Sequence, residues 1–499
     1  MSRVVVIGAG LGGLAAAARL AALGHQVTVC EAAPTVGGKL GVVHRDGFTF
    51  DTGPSLLTMP DLLTELFAAT GGPSDLRIER VDPACAYRFA DGTELTLPHD
   101  RNAVGAAIDD VLGREAGQSW RRLHERARRL WDLVGEPVLR QPISLPALAR
   151  MSARPADLRA VAPWRTIDGL GRATFADPRL RMWLNRYATY SGSDPRRTPS
   201  VLAVTSFVEQ EFGAWYVAGG LRRIVDTVAR RCAELGVEIR TDSRVDEVVT
   251  GGGRVYGVRC AGTTVPADVV VSDADASELY GRLAPAPARL ARRLRRTPRS
   301  MAGFVMMLGL SGREPGAAHR ILFPSDYDAE FDAIFGRRPR PVADPTVYLH
   351  APDDPTLRPN DATEGWFVLV NAPAHDPAGG GMDWDAEGLA DTYSAHILDV
   401  LAERGVDVRP RLQFTEVITP AELERRTGAP GGAIYGTASH GPRAALRRPA
   451  NRSPIPGLFL VGGSAHPGGG IPLVLMSAEI VAGLIGPAGT TRASTGGFR

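Results

Sequence analysis

The stretch RVVVIGAGLGGLAAAARLAALGHQVTVCEA, residues 3–32, decides how the rest of the chain is read. Val4–Ile7 is a short run of β-branched residues, suited to a strand buried on both faces. The Ala/Leu-rich stretch that runs to Leu23 is a strong helix former, and QVTVC returns to strand character. Between the first strand and the helix stand Gly8, Gly10 and Gly13 in G-x-G-x-x-G spacing. The first glycine permits a tight turn, the second lets main chain approach a diphosphate, and the third lets helix and strand pack closely. The helix N-terminus then faces the phosphates. Glu31 ends the second strand, where a carboxylate accepts both hydroxyls of a ribose and repels a 2′-phosphate, which disfavours NADP. The spacing predicts a dinucleotide-binding unit, with an ordinary glycine turn as the alternative.

Working outward, TVGGKL (35–40) adds Gly37, Gly38 and Lys39. A second main-chain loop and a cation beside the diphosphate favour FAD over NAD. GFTFDTGPSLL (47–57) is expected to line the flavin side of the site. A second α/β unit spans 216–273: a helix with Leu221, Ile224, Val225 and Val228 on one stripe, two alternating strands around Gly251–Gly253, and ADVVVSDADA as a returning buried strand. Near the end, PGLFLVGGSAHPGGGIPLVLMSAEIVAGLIG reads as strand, glycine loop and apolar helix. Bare backbone at Gly462, Gly463 and Gly470 lets a flat ring lie close, and the helix entered at Ile471–Pro472 aims its N-terminus at the pyrimidine end of an isoalloxazine. The expectation is an α/β protein whose FAD-binding domain is discontinuous, 1–74, 213–277 and 451–488. A substrate or membrane-facing domain occupies 75–212 and 278–450, and a disordered tail 489–499.

With 499 residues the chain exceeds a single core. Its 57 basic and 55 acidic residues nearly cancel, so global charge implies no nucleic-acid partner. Lys39 is the sole lysine. Cys30, Cys85, Cys232 and Cys260 are scattered without a CxxC pair, which argues against zinc and against a disulfide framework and fits a reducing compartment. No signal-peptide pattern and no apolar run of membrane-spanning length is read, so the expected location is cytoplasmic, with peripheral contact to the inner face of the cell membrane left open.

Several motifs carry a family likeness: the N-terminal stretch through VGGKL, RYATYSGSDP (186–195), WYVAGG (215–220), FVLVNAP (367–373), GGAIYG (431–436) and NRSPIPGLFLVGGSAHPGGGIP (451–472). With them the chain resembles the FAD-dependent carotenoid desaturases, a group that includes phytoene desaturases and hydroxycarotenoid 3,4-desaturases. HPGGGIP after GGAIYG looks most like the 3,4-desaturase branch. The resemblance implies non-covalent FAD in a glutathione-reductase-like Rossmann domain, with an inserted α+β substrate domain. It further implies a hydrophobic tunnel and removal of hydrogen from a C–C bond of an apolar polyene, with hydride passing to flavin. It carries the cofactor contacts over to Gly8, Gly10, Gly13, Glu31, Gly38, Lys39, Val245 and the 462–472 loop. The chain departs from many flavoproteins after its last strand, where Gly463-Ser464 stands in place of an aspartate that holds the ribityl chain.

Dehydrogenating an unactivated hydrocarbon offers no acidic proton, so proximity to the flavin should dominate and no catalytic acid or base is assigned. His440 and His466 read as hydrogen-bonded structural histidines, while Asp51, Tyr187 and Tyr190 are candidates to line the cavity. No metal site is read. Within 114–165, Trp120, Leu123, Ala127, Leu130, Trp131 and Val134 form a helical stripe ringed by arginines, and RLARRLRRTPR (289–299) is a second basic segment. Arginine and tryptophan on one helix suit an anionic membrane surface; a core-facing helix with a solvated arginine face is the other reading. The electron acceptor, quinone or oxygen, is not legible. Rival functions are a flavin amine oxidase, weakened because the only lysine is committed to the phosphate loop, an isoprenoid saturase or isomerase, and a non-catalytic prenyl-lipid escort protein.

Overall fold

The structure, a computed structural model, describes residues 1–151, 154–379 and 381–489. The expected disordered tail, apart from Gly489, lies outside the described residues.

Five parallel strands form one sheet in the order Leu458–Leu460, Val269–Ser272, Arg3–Ile7, Gln26–Cys30, Glu238–Arg240. Three distant stretches of chain therefore meet in it. The first strand shows why: Val4 and Val6 point to one face and Val5 and Ile7 to the other, each almost fully buried. On the Val4/Val6 face lie the helices Leu11–Ala22, Arg222–Glu234 and Ile471–Ile485. Ala15, Ala16, Ala17 and Ala18 are all buried, so the first helix offers little side-chain bulk and its neighbours approach closely. The opposite face is covered by the antiparallel strands Val245–Gly251, Arg254–Cys260 and Thr263–Pro266, through Val248, Val255 and Val258. Each such aliphatic side chain contributes roughly 1.5–3 kcal/mol by leaving water.

A larger sheet has the order Leu412–Ile418, Ala302–Ser311, Thr363–Ala372, Val347–His350, His319–Leu322, Cys85–Arg88, Glu94–Leu97. All its pairings are antiparallel except that of His319–Leu322 with Cys85–Arg88. One face packs the helix Leu389–Glu403 with Trp366 and Trp384. On the other, Val305, Met307, Phe367 and Phe414 receive Phe48 and Phe50 of the hairpin Val42–Arg45/Phe48–Asp51. That hairpin follows the second glycine loop directly, so it links the two sheets.

The helix Arg114–Val134 corrects one half of the membrane expectation. Trp120, Leu123, Ala127, Leu130 and Val134 are buried in the helical layer with Trp183 and Tyr187. Four of its six arginines pair with acids or carbonyls: Arg121 with Asp109, Arg128 with Glu125 and Asp132, Arg129 with Asp157, and Arg126 with the carbonyls of Arg159 and Ala160. The stripe faces the core because it has the width of a core-facing face and a helical layer to receive it. Trp164, which follows this helix in the chain, is exposed. No helix of the described residues is long and apolar enough to cross a membrane.

Candidate functional site

The glycine turn after Ile7 and the glycine loop after Leu460 meet main chain to main chain. A methyl group placed on Gly12 would lie 2.9 Å from the Cα of Gly462. One placed on Gly13 would collide with the carbonyl oxygen of Gly8, the close helix–strand packing that the third glycine of the motif permits. The loop of Gly37 and Gly38 sits beside them: the Gly37 amide donates to the Ala9 carbonyl at 2.9 Å, and a methyl on Gly38 would reach the Cα of Gly10 at 3.4 Å. Gly8, Gly10, Gly13, Gly37, Gly38, Gly462 and Gly463 are thus brought to one place. Gly470 caps the helix Ile471–Ile485 without a side-chain hydrogen bond, as Gly10 does for Leu11–Ala22, and neither helix has an acidic residue in its first turn. Ile471 is buried against the same core.

Glu31 stands at the end of its strand with one carboxylate oxygen accepting from the Ala9 amide at 2.6 Å and the other from Ala33 at 2.8 Å. The Ser243 amide donates to its carbonyl at 2.7 Å, which brings the start of the strand at Val245, itself buried, behind it. Lys39 goes elsewhere than expected. Its ammonium donates to the carbonyls of Ala433 at 2.8 Å and Ile434 at 2.7 Å, and desolvation lowers its pKa against the pull of Asp275 and Asp273. Arg222 flanks the second glycine loop, its guanidinium 2.9 Å from where a methyl on Gly37 would lie.

The sequence reading missed Asp273. Its carboxylate would lie 2.5 Å from a methyl on Gly10 and 2.7 Å from one on Gly12, and it accepts from the Gly13 amide. Surrounding protein and the charge of Glu31 push its pKa up to about 7, against the Gly13 amide and Lys39. The DAD triplet after a buried strand was its only signal. The supports of the C-terminal loop were also missed. The Arg448 guanidinium donates to the carbonyls of Gly463, Tyr435 and Thr437, and the Asn451 amide to those of Leu460 and His466. The Ser464 hydroxyl accepts from the Ala276 amide at 2.9 Å.

His466 Nε2 lies 3.0 Å from the carbonyls of Val138 and Gln141, and His440 Nε2 accepts from the Asp194 amide at 3.0 Å; both are buried and structural. Burial lowers the His440 pKa to about 4. Asp51 accepts from the amides of Leu221 and Arg222 and lines a cavity of about 20 Å³ with His350 and Asp354, room for one water. Burial pushes its pKa up to about 6. The hydroxyls of Tyr187 and Tyr190 donate to Glu209, beside buried Arg186, whose guanidinium also meets Tyr87. Burial opposes that guanidinium's charge, but Tyr190, Tyr87 and Glu209 outweigh it and hold its pKa above the ordinary value.

Among the described residues, His375, Asp383 and Asp385 bring ligating atoms within 4.8 Å of one another. Arg425 already pairs with Asp385, and the Trp384 amide donates to His375 Nδ1, so the trio is a partnered surface network.

Three glycine loops packed on one another, two uncapped helix N-termini and a carboxylate at the second strand end fit a dinucleotide whose diphosphate needs main-chain amides and close approach. Fold and site together define a flavin-binding oxidoreductase. The model of the flavin-containing amine oxidoreductase family matches residues 11–307. The chain is 33% identical to 4,4'-diapolycopene oxygenase of Methylomonas sp. over 96% of its length and 97% of that protein. It is 31% identical to 1-hydroxycarotenoid 3,4-desaturase of Flavobacterium sp. over 97% and 99%. Among solved structures, putrescine oxidase bound to putrescine shares the fold with a TM-score of 0.67, at 16% identity, over 97% of this chain and 98% of that one. The chain belongs to the flavin-containing amine oxidoreductase family and, within it, to the carotenoid desaturases.

Proposed function

We propose that this protein is an FAD-dependent desaturase acting on a C–C single bond of a carotenoid or a similar apolar polyene. The substrate loses two hydrogens, one as hydride and one as a proton, and the single bond becomes double. Bound FAD supplies the hydride acceptor. The observation that carries the reading is the contact of Gly12 with Gly462, bare backbone on bare backbone, in a chain whose full-length relatives are named for carotenoid substrates.

The chain's own residues bind and orient. The glycine loops and the N-terminus of Leu11–Ala22 hold the diphosphate, Glu31 turns to the ribose, and Val245 packs behind it. The N-terminus of Ile471–Ile485 favours negative charge on the ring system. Lys39 acts at a distance, by tying the 433–434 carbonyls to the N-terminal loop. The fold reads as a glutathione-reductase-like Rossmann domain with the larger sheet as an inserted substrate domain. There Phe48, Phe50, Phe367 and Phe414 form an apolar wall that excludes water. A substrate this apolar dissolves in a bilayer, so the protein works from the cytoplasmic side as a peripheral membrane enzyme, and a quinone or oxygen takes up the electrons.

Expression in a bacterium engineered to make phytoene, neurosporene or hydroxylated carotenoids, with pigments resolved by chromatography and mass, tests this. The expected product is two hydrogens lighter than its precursor. Gain of oxygen, as the name of the Methylomonas relative suggests for that enzyme, or unchanged pigments with every precursor, overturns the reading.

A further inference from the structure

The helix Ala288–Arg296 is more basic than Arg114–Val134 and differently placed. Leu294 is buried and Leu290 partly so, which seats one side of the helix on the core beneath the three-stranded sheet. Arg289, Arg292, Arg293 and Arg296 recur at i, i+3, i+4 and i+7, the spacing of a single helical stripe, and all are exposed. With Thr297 and Arg447 they line an open basin of about 350 Å³. No carboxylate lines it, and among the described residues none of these five arginines is in an ion pair. Neighbouring Arg282 pairs with Glu278. Five guanidinium groups facing one basin repel one another unless an anion sits among them.

Two neighbours give the basin a direction. Leu446, beside Arg447, is 41% exposed, an apolar residue on the rim of a cationic surface. Arg448, the next residue, holds the Gly463 carbonyl of the C-terminal glycine loop at 2.6 Å. An anionic surface bound at the basin is therefore brought to the side of the molecule where that loop lies. Guanidinium groups suit phosphate because their forked donors match its oxygens, and a stripe of them with an apolar rim suits headgroups packed in a plane.

We propose that this arginine basin is the membrane-docking site and that it takes the phosphates of anionic phospholipid headgroups, an inference that rests on the membrane-dissolved substrate argued above. The test is co-flotation of flavin-loaded protein with vesicles of phosphatidylcholine alone or mixed with phosphatidylglycerol. Three forms are compared: the natural chain; Arg289→Gln, Arg292→Gln, Arg293→Gln and Arg296→Gln combined; and the same four positions changed to lysine. The natural chain should float with the mixed vesicles and be released by salt. The glutamine form should lose roughly two to three orders of magnitude in partitioning. The lysine form should keep most of the binding, and all three should keep the same flavin absorbance per chain, which shows that they fold. Equal flotation of the glutamine form overturns the proposal. So does saturable binding of inorganic phosphate without flotation, which would make the basin a soluble-anion site. Desaturation in detergent micelles separates the two ideas: activity there without flotation removes the docking site and leaves the desaturase, and flotation without activity does the opposite.

Discussion

The glycine loops at the two ends of the chain and the arginine nest in its middle both gather polar groups in protein interior, and they treat them in opposite ways. At Gly8–Gly13, Gly37–Gly38 and Gly462–Gly470 the polar groups are main-chain amides at uncapped helix ends, laid bare by the absence of side chains. Around Arg186 the polar groups are side chains that satisfy one another: Glu209 accepts from Tyr187 at 2.7 Å and from Tyr190 at 3.0 Å, and Tyr87 accepts from the guanidinium at 3.0 Å. The first arrangement presents main-chain donors at helix ends, the chemistry that suits a phosphate. The second is largely closed on itself, with Arg186 Nε the one donor of its guanidinium left without a hydrogen bond among the described residues. Two buried polar clusters in one chain can thus be told apart by asking whether their donors are already used.

The sharpest way to break this comparison is to fill the cradle. Gly12→Val would drive a side chain into Gly462 and Asp273, and the flavin retained after gel filtration should fall by roughly tenfold or more. Circular dichroism should change little. Full retention of flavin would mean that the meeting of the two loops is not what holds it.

Next in size is Arg186→Met. It leaves Glu209 buried without its cation, and unfolding by urea should show a loss of about 3–5 kcal/mol. Flavin per folded chain should stay constant. A fall in flavin content equal to that of the glycine variant would erase the distinction between the two clusters.

Asp273 probes the boundary, since it is a side chain inside the bare-backbone region. In the folded chain its pKa is raised from the ordinary aspartate value of 3.8 to about 7. The sign follows: its contribution to the stability of the flavin-free chain is complete below about pH 4 and is lost as pH rises toward 7. A diphosphate favours the protonated carboxyl, so FAD should bind more weakly, with proton uptake, as pH rises through 7. Fluorescence titration of FAD between pH 6 and 8 should show a decline of about tenfold in the natural chain and a flat response in Asp273→Asn. A flat response in both would place the carboxyl away from the phosphates.

The smallest effect belongs to the paired helix. Arg128→Ala removes contacts to Glu125 and Asp132 that are exposed to solvent, and the thermal unfolding midpoint should stay essentially unchanged. A larger loss would show that this surface network does more than neutralise charge.

What the sequence determined by itself was local. The strand Arg3–Ile7, the helix Leu11–Ala22, the strand Gln26–Cys30 and the loop-to-helix passage at Gly470–Ile471 follow from periodicity and glycine spacing within a few residues. Three kinds of pairing were decided only by the tertiary structure: the cover of a helix face, long-range side-chain contacts and a strand pairing. The stripe of Trp120, Leu123 and Leu130 announces an apolar face but not whether protein or lipid covers it. The ammonium of Lys39 reaches carbonyls nearly four hundred positions away, and the carboxyl of Asp273 enters a loop formed by residues 8–13. The strand Cys85–Arg88 runs parallel to His319–Leu322 across a long excursion of chain. The physical reason is common to all three. Periodicity fixes which side of an element is apolar, whereas its covering partner depends on closing loops hundreds of residues long, whose entropy changes too slowly with length to favour one pairing over another.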